Sequence, residues 1–352
     1  MFDAKAMMYL YVETPLHAGS GTSLGVVDLP VQRERVTNYP MVQASGIKGK
    51  LRAEAYEWPP YVKRKEALKQ TLKPNELLQL LQEPVWQGKP KDEQEREADK
   101  RAERKARKAA AKELGLELVF GPETDEASEH AGAFTPGDAK LLLFPVRSLI
   151  GVFAWTTSKD ALARFCRDAK MLGLELNWQP VGPTAETTAL VAPDNDVTAD
   201  SKIVLEEFAF DAQENQQVKA IADWLASNAL PHDSEYAFWR QKLPKSLVIL
   251  PENAFRDFTQ FSTEVINRIR LEHETKTVAE GALWSEEHLP TDTVLYAPMF
   301  ATRPRVDSGK LPQGWQGRAQ EVLDFVKNLG LDRIQLGGDE TVGRGLVKVR
   351  FS

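Results

Sequence analysis

The chain has 352 residues, enough for two average domains or for one domain carrying long insertions. Its 42% hydrophobic and 27% charged residues are those of a soluble globular protein, and no apolar run reaches the roughly 18 residues that a membrane-spanning helix needs. A formal net charge of −6 argues against a free-standing nucleic-acid binder, which would carry a basic excess, and a single cysteine, Cys166, excludes an intramolecular disulfide and a thiolate zinc cluster.

Residues 1–13 contain neither a basic leader nor a small-residue cleavage site, which predicts a cytoplasmic protein with no membrane partner. Residues 6–13, AMMYLYVE, read as a strand and lead into the glycine-rich loop HAGSGTSLG. At Ser45 the pattern SGIKGKLRAEAYEW begins on an N-cap residue and repeats Ile47, Leu51 and Ala55 at helical spacing. Residues 89–113 mix lysine, arginine and acidic residues with alanine, as either a solvated helix or a disordered insertion. Residues 141–157, broken by Pro145 and Gly151, predict two buried strands or one bent strand. A helix over 159–172 follows, with Cys166 as a buried small hydrophobe, and then a polar excursion from the core over 179–201. Residues 245–250 predict a strand, 252–261 a short helix, and 264–277, which include Glu272 and His273, a hairpin arm outside the core. Strand 293–300, a helix carrying Val322, Phe325, Val326 and Leu329, and the closing strand GLVKVRF complete the chain. Strand, helix, two strands, helix and strand in that order give an α+β, ferredoxin-like sheet.

Three polar, glycine-rich segments end core elements. In HAGSGTSLGVVDLPVQRER, Gly19, Gly21 and Gly25 either let a ligand approach the backbone or only turn the chain, and Asp28 either serves chemistry or caps a turn. In ASGIKGKLR, Lys48 and Arg52 share a helical face near an N-terminus that favours phosphate, and Lys48 reads equally as an exposed helix residue. QLGGDETVGRG places four glycines around Arg344 in a loop suited to phosphate or to another protein. None is a Walker A loop, a Rossmann fingerprint or a nucleophile elbow, and His17, His130, His232, His273 and His288 share no zinc-ligand spacing.

Taken in order, HAGSGTSLGVVDLPVQRERVTNYP, ASGIKGKLR, LLLFPVRSLIGVFAWTT, EGALWSEEHLP and QLGGDETVGRG resemble the RAMP superfamily of CRISPR proteins, and within it the Cmr-type backbone subunits of type III-B complexes. The resemblance implies one RAMP-type domain over 1–352 with a ferredoxin-like (RRM-like) palm, a charged helical insertion at 60–135, a polar insertion at 177–245 and a thumb hairpin at 262–291. It implies an endoribonuclease that stacks head to tail with other copies and other subunits along a guide (CRISPR) RNA. The thumb would kink the guide–target duplex at regular intervals, and the target RNA would be cut beside each kink.

By motif the cleaving residue is Asp28 and the guide-binding lysine is Lys48; Trp284, Glu286 and Glu287 on the thumb come nearest the cut. The other RNA-binding candidates on the matching motifs are Gly19, Ser20, Gly21, Gln32, Arg33, Arg35, Ser45, Arg52, Arg147, Gly337, Gly338 and Arg344. RNA breaks itself when its 2′-hydroxyl lies in line with the scissile phosphate, so splaying a nucleotide supplies much of the catalysis. Asp28 would then accept the hydroxyl proton or hold a divalent ion, Mg²⁺ or Mn²⁺, for which no preformed site is readable; His17 or a nearby basic residue would stabilise the phosphorane. Three other readings compete: a guide-RNA-binding backbone module that does not cut, an endoribonuclease that trims guide precursors, and a glycine-loop enzyme acting on a small phosphorylated metabolite.

Overall fold

The computed structural model describes residues 2–23, 25–123, 130–272 and 274–352; His273 lies outside them. Two compact units are present, one of Met1–Lys5, Lys48–Thr135 and Phe300–Leu331, the other of Ala6–Ile47, Pro136–Met299 and Asp332–Ser352.

Strand β1 (Ala4–Val12) buries every residue except Lys5. After the glycine loop come β2 (Met41–Val42) and α1 (Ala44–Glu57). The helix does not start on an N-cap at Ser45. Its first turn opens on Ala44, whose N–H is taken by the Asp138 carboxylate at 2.8 Å, while Ser45 lies exposed within that turn. A cap supplied from 94 residues away leaves no local signature in the sequence.

In the first unit, α2 (Pro59–Gln82) packs against α3 (Lys91–Glu113). The charged stretch is therefore a helix. Ala98, Ala102, Ala106 and Ala110 form a buried stripe at every fourth residue, where small side chains let the two backbones approach. Cations and carboxylates flank that seam in pairs, among them Lys65–Glu103 at 3.1 Å and Lys69–Asp99 at 3.0 Å. These pairs are half-exposed and add little stability, so the helix stands mainly on its alanine face. Beyond it, α4 (Leu116–Phe120) brings Phe120 against Phe325, which also packs on Trp58 and Trp315 with centroids 5.5 and 6.1 Å away.

The second unit is built on a mixed sheet. Strands β3 (Phe134–Pro136), β4 (Ala139–Arg147) and β5 (Phe153–Ser158) lead into α5 (Lys159–Leu172). The Ser158 side chain caps that helix and Gly173 ends it in the left-handed conformation. Burial pushes the Cys166 thiol on α5 up to about 11. Then come β6 (Thr188–Val191), β7 (Lys202–Leu205), β8 (Phe208–Glu214), α6 (Gln216–Asn228), α7 (Ala237–Ser246), β9 (Leu247–Leu250) and α8 (Glu252–Phe261). The polar region 179–201 is not wholly an excursion: β6 lies between β9 and β8 in the sheet, with Ala189, Leu190 and Val191 buried.

An antiparallel pair, β10 (Glu264–Leu271) and β11 (Val278–His288), forms a separate two-stranded sheet. The chain ends with β12 (Val294–Ala301), α9 (Ala319–Lys327), β13 (Arg333–Gln335) and β14 (Leu346–Phe351). The main sheet runs β13-β14-β1-β12-β4-β5-β9-β6-β8-β7. Within it, the neighbours β14-β1-β12-β4 are the fourth, first, third and second strands of the strand–helix–strand–strand–helix–strand succession, which is the ferredoxin-like order. Aromatic side chains fill its core: Phe165 packs on Tyr296 at 5.0 Å and on Trp224 at 5.6 Å. Among the described residues no helix is long and apolar enough to cross a membrane.

Candidate RNA-cleaving site

The glycine-rich loop after β1 runs beside the last residues of β11. Leu29 N–H donates to the Ser285 carbonyl at 3.0 Å, and Glu287 N–H donates to the Leu29 carbonyl at 3.0 Å. This short parallel pairing, centred on Leu29 and Glu286, presents Asp28 at the surface. One carboxylate oxygen of Asp28, Oδ2, accepts from both the backbone N–H and the hydroxyl of Ser285, each at 2.8 Å. Those bonds, the backbone one first, hold the carboxyl below its usual range. Among the described residues no other residue donates to Oδ1, which is left for solvent or a ligand.

His17 is oriented by the same strand. Its Nδ1 lies 2.7 Å from the Glu287 carbonyl, which can only accept, so Nδ1 carries the proton and Nε2 is the free edge. Gly19 lets the ring pack closely: a Cβ there would lie 2.6 Å from Nε2. Gly337, with φ +76°, passes so near the His17 carbonyl that a Cβ would sit 2.1 Å from it, and Gly338 N–H donates to that carbonyl at 2.9 Å. The C-terminal glycines thus cradle the His17 backbone.

Beneath this surface lies a buried charge network. Glu287 accepts from Val31 N–H at 2.9 Å and from Thr263 Oγ1 at 2.8 Å, and it pairs with Arg33. Glu286 accepts from Arg268 Nε at 2.6 Å and from the Trp284 indole N–H at 2.7 Å. The same arginine reaches Asp339 at 2.6 Å. Burial works to raise the Asp339 carboxyl, but the Arg268 guanidinium and the His288 ring beside it outweigh that and hold it below its usual range.

His288 is fully buried, 5.4 Å ring to ring from His17, with Nε2 3.4 Å from Asp339 and Nδ1 without a partner among the described residues. Burial pushes its pKa below the ordinary histidine value, against the pull of Asp339. The unfolded chain therefore takes up a proton near pH 6.5 that the folded chain refuses, and stability is lost as pH falls through that window. Thermal midpoints measured from about pH 7 to about pH 5 should decline, and should decline less in His288→Leu. Parallel slopes would show that His288 does not carry the effect.

Glu286, His288 and Asp339 place potential ligand atoms within 4.8 Å of one another. Arg268 already supplies the positive charge between the two carboxylates, and a hard Mg²⁺ favours oxygen donors over imidazole. The cluster does not fit a resident Mg²⁺. Asp28, ionised and with one oxygen open, fits an ion shared with a substrate phosphate.

The other sequence candidates divide. Gln32 ties Gly19 to the start of α1, its amide donating to the Gly19 carbonyl at 3.0 Å and its oxygen accepting from Gln43 N–H at 2.8 Å. Ser20 folds back on the Pro30 carbonyl, and Gly21 takes φ +97°. Arg344 lies 3.9 Å from Glu264. Arg35 is exposed and, among the described residues, has no ion-pair partner. Arg147 is held by Glu206 and Glu207, at 3.0 and 3.4 Å. Lys48, half-buried on α1 and unpaired among the described residues, is pushed below the usual lysine range by burial and then by Arg52, which itself donates to the Pro122 carbonyl at 3.1 Å. Sequence reasoning missed Ser285, His288 and Asp339 as parts of the site. The alternation in WSEEH carried the only local trace of the first two.

Among relatives, the CRISPR system Cmr endoribonuclease Cmr4 of Pyrococcus furiosus is 36% identical over 349 residues, covering 97% of this chain and 93% of its own. The CRISPR system CMR subunit Cmr4 of Saccharolobus solfataricus is 24% identical, over 97% and 95%. A crystal structure of oligomeric Cmr4 from Pyrococcus furiosus superposes with a TM-score of 0.62 at 26% identity, covering 99% of both chains. A cryo-EM structure of the type III-B Cmr-beta bound to cognate target RNA shares the fold, with a TM-score of 0.62 at 18% identity over 99% of this chain and 98% of its own. The model of the RAMP superfamily matches residues 9–348, and the chain belongs to that superfamily.

Proposed function

We infer that this chain is the RNA-cleaving backbone subunit of a type III-B CRISPR ribonucleoprotein, an endoribonuclease that lies head to tail with its copies along guide RNA and cuts the paired target RNA at regular intervals. The observation that carries this reading is Asp28: an exposed, ionised carboxylate with one free oxygen, clamped beside a projecting hairpin, in a chain 36% identical along almost its whole length to a protein named an endoribonuclease. The hairpin β10–β11 is the thumb. It carries Ile269 and Leu283 directly opposite each other, 53% and 66% exposed, an apolar surface suited to wedging between bases. The hairpin α2–α3 belongs to the charged insertion, and β6 to α6 lie within the 177–245 insertion, with α7 at its end.

Lys48, a partly desolvated ammonium unpaired among the described residues, is suited to a guide phosphate, and Arg35 is exposed with no ion-pair partner among them. The net negative charge is compatible with tight RNA binding because linked copies add avidity from few contacts each. Glu286 and Glu287 are buried and engaged by Arg268 and Arg33, so their role is to hold the loop and thumb in place. His17 presents Nε2 with its tautomer fixed, able to donate to a phosphorane oxygen when protonated. A divalent ion, Mg²⁺ or Mn²⁺, when bound by Asp28 and the RNA's own phosphate, would neutralise charge at the scissile group. The setting is cytoplasmic, with other effector subunits and no membrane as partners.

The test is target-RNA cleavage by the complex reconstituted with guide RNA and Mg²⁺ or Mn²⁺. Regularly spaced cuts support the reading; target binding without cuts would make the chain a binding module.

A further inference from the structure

We propose that Ser285 is the positioning residue for Asp28, locking the carboxylate onto the thumb strand so that it meets RNA in one orientation; this rests on the reading of Asp28 as the cutting carboxylate. Within its loop Asp28 is held only through its backbone, its carbonyl accepting from Ser23 N–H at 2.9 Å, and among the described residues no loop neighbour bonds its carboxylate. Gly21 and Gly25 precede it, and Val26, two residues before Asp28, is fully exposed. What fixes the Asp28 carboxylate comes from β11, 257 residues away in sequence.

Three hydrogen bonds join the two residues. Asp28 N–H donates to Ser285 Oγ at 3.0 Å, while Ser285 N–H and Oγ–H both donate to Asp28 Oδ2 at 2.8 Å. The hydroxyl therefore grips the backbone and the side chain of Asp28 together, which fixes the direction in which Oδ1 points. Ser285 is itself fixed on both sides, paired with Asn267 across the hairpin and bonded through its carbonyl to Leu29 N–H. No other described side chain bonds to Asp28. A serine suits this place because its short hydroxyl can donate and accept at once, whereas strand propensity alone would favour a larger β-branched residue.

The reconstituted complex supplies the test, in single-turnover cutting with target RNA saturating. Ser285→Ala keeps the backbone bond and loses both hydroxyl bonds; about a 10- to 100-fold slower cut is expected, with target affinity unchanged, because misplacing a reacting group by about 1 Å costs rate on that scale. Ser285→Thr restores the hydroxyl and should recover most of the rate. In an Asp28→Ala background, Ser285→Ala should cause no further loss, since its effect passes through Asp28. Native cutting by Ser285→Ala beside an inactive Asp28→Ala overturns the positioning role and leaves the cutting site intact; failure of Ser285→Thr to rescue also overturns it. Native cutting by Asp28→Ala instead removes the reading on which the proposal rests.

Discussion

Asp28→Ala is expected to lower target-RNA cutting by the assembled complex about 10²- to 10⁴-fold, the usual worth of a positioned acid–base group, while guide and target stay bound. The carboxylate is exposed, and its only bonds to another described residue run to Ser285 at the surface, so the variant should fold and assemble as the native chain does. The pH dependence separates the two roles open to Asp28. Ser285 holds the carboxyl below its usual range, so the ionised form persists throughout the neutral range and is lost only on strong acidification. If Asp28 takes the 2′-hydroxyl proton, its own titration leaves no step in the rate at neutral pH. A rate that rises with pH there belongs to another group, and Asp28 then acts by holding the divalent ion. Equal cutting by native and variant complexes would place the nuclease outside this loop.

Much of the fold was legible because its signals are local. Helix α5 announces its start with Ser158 and its end with Gly173, and β9 and α8 begin and end close to where their apolar patterns do. The order of strands and helices sufficed for the ferredoxin-like core. The four residues of β6 in a polar setting did not read as a sheet strand, because what makes them one is pairing with β9 and β8 rather than their own periodicity. The cap on α1 escaped for the same reason. At the site, Asp28 and His17 stood out by motif and resemblance, but the groups that orient them did not. Ser285, His288 and Asp339 are ordinary residues in sequence, and only long-range folding makes them partners of the loop.

Glu287→Ala should damage the protein more than any change at the surface of the site, by about 3–5 kcal/mol, the range measured when one member of a buried ion pair is removed. Arg33 is 15% exposed and would keep its charge without the carboxylate that balances it, while Val31 N–H would lose its acceptor. Against a total stability of about 5–15 kcal/mol, that loss brings unfolding within reach of moderate heating or denaturant. Glu287→Gln should fall between: its single carbonyl oxygen can satisfy Arg33 and Thr263 or Val31, but its amide then faces a donor on the other side. Cutting should fall with stability, because Val31 lies three residues beyond Asp28 on the same loop. The measurement is denaturant unfolding of the isolated chain alongside single-turnover cutting of the complex. A Glu287→Ala chain with the native unfolding midpoint would show that the network does not hold the loop. If stability and cutting fall together in Glu287→Ala, and cutting alone falls in Asp28→Ala, then Glu287 supports the scaffold and Asp28 supplies the chemistry.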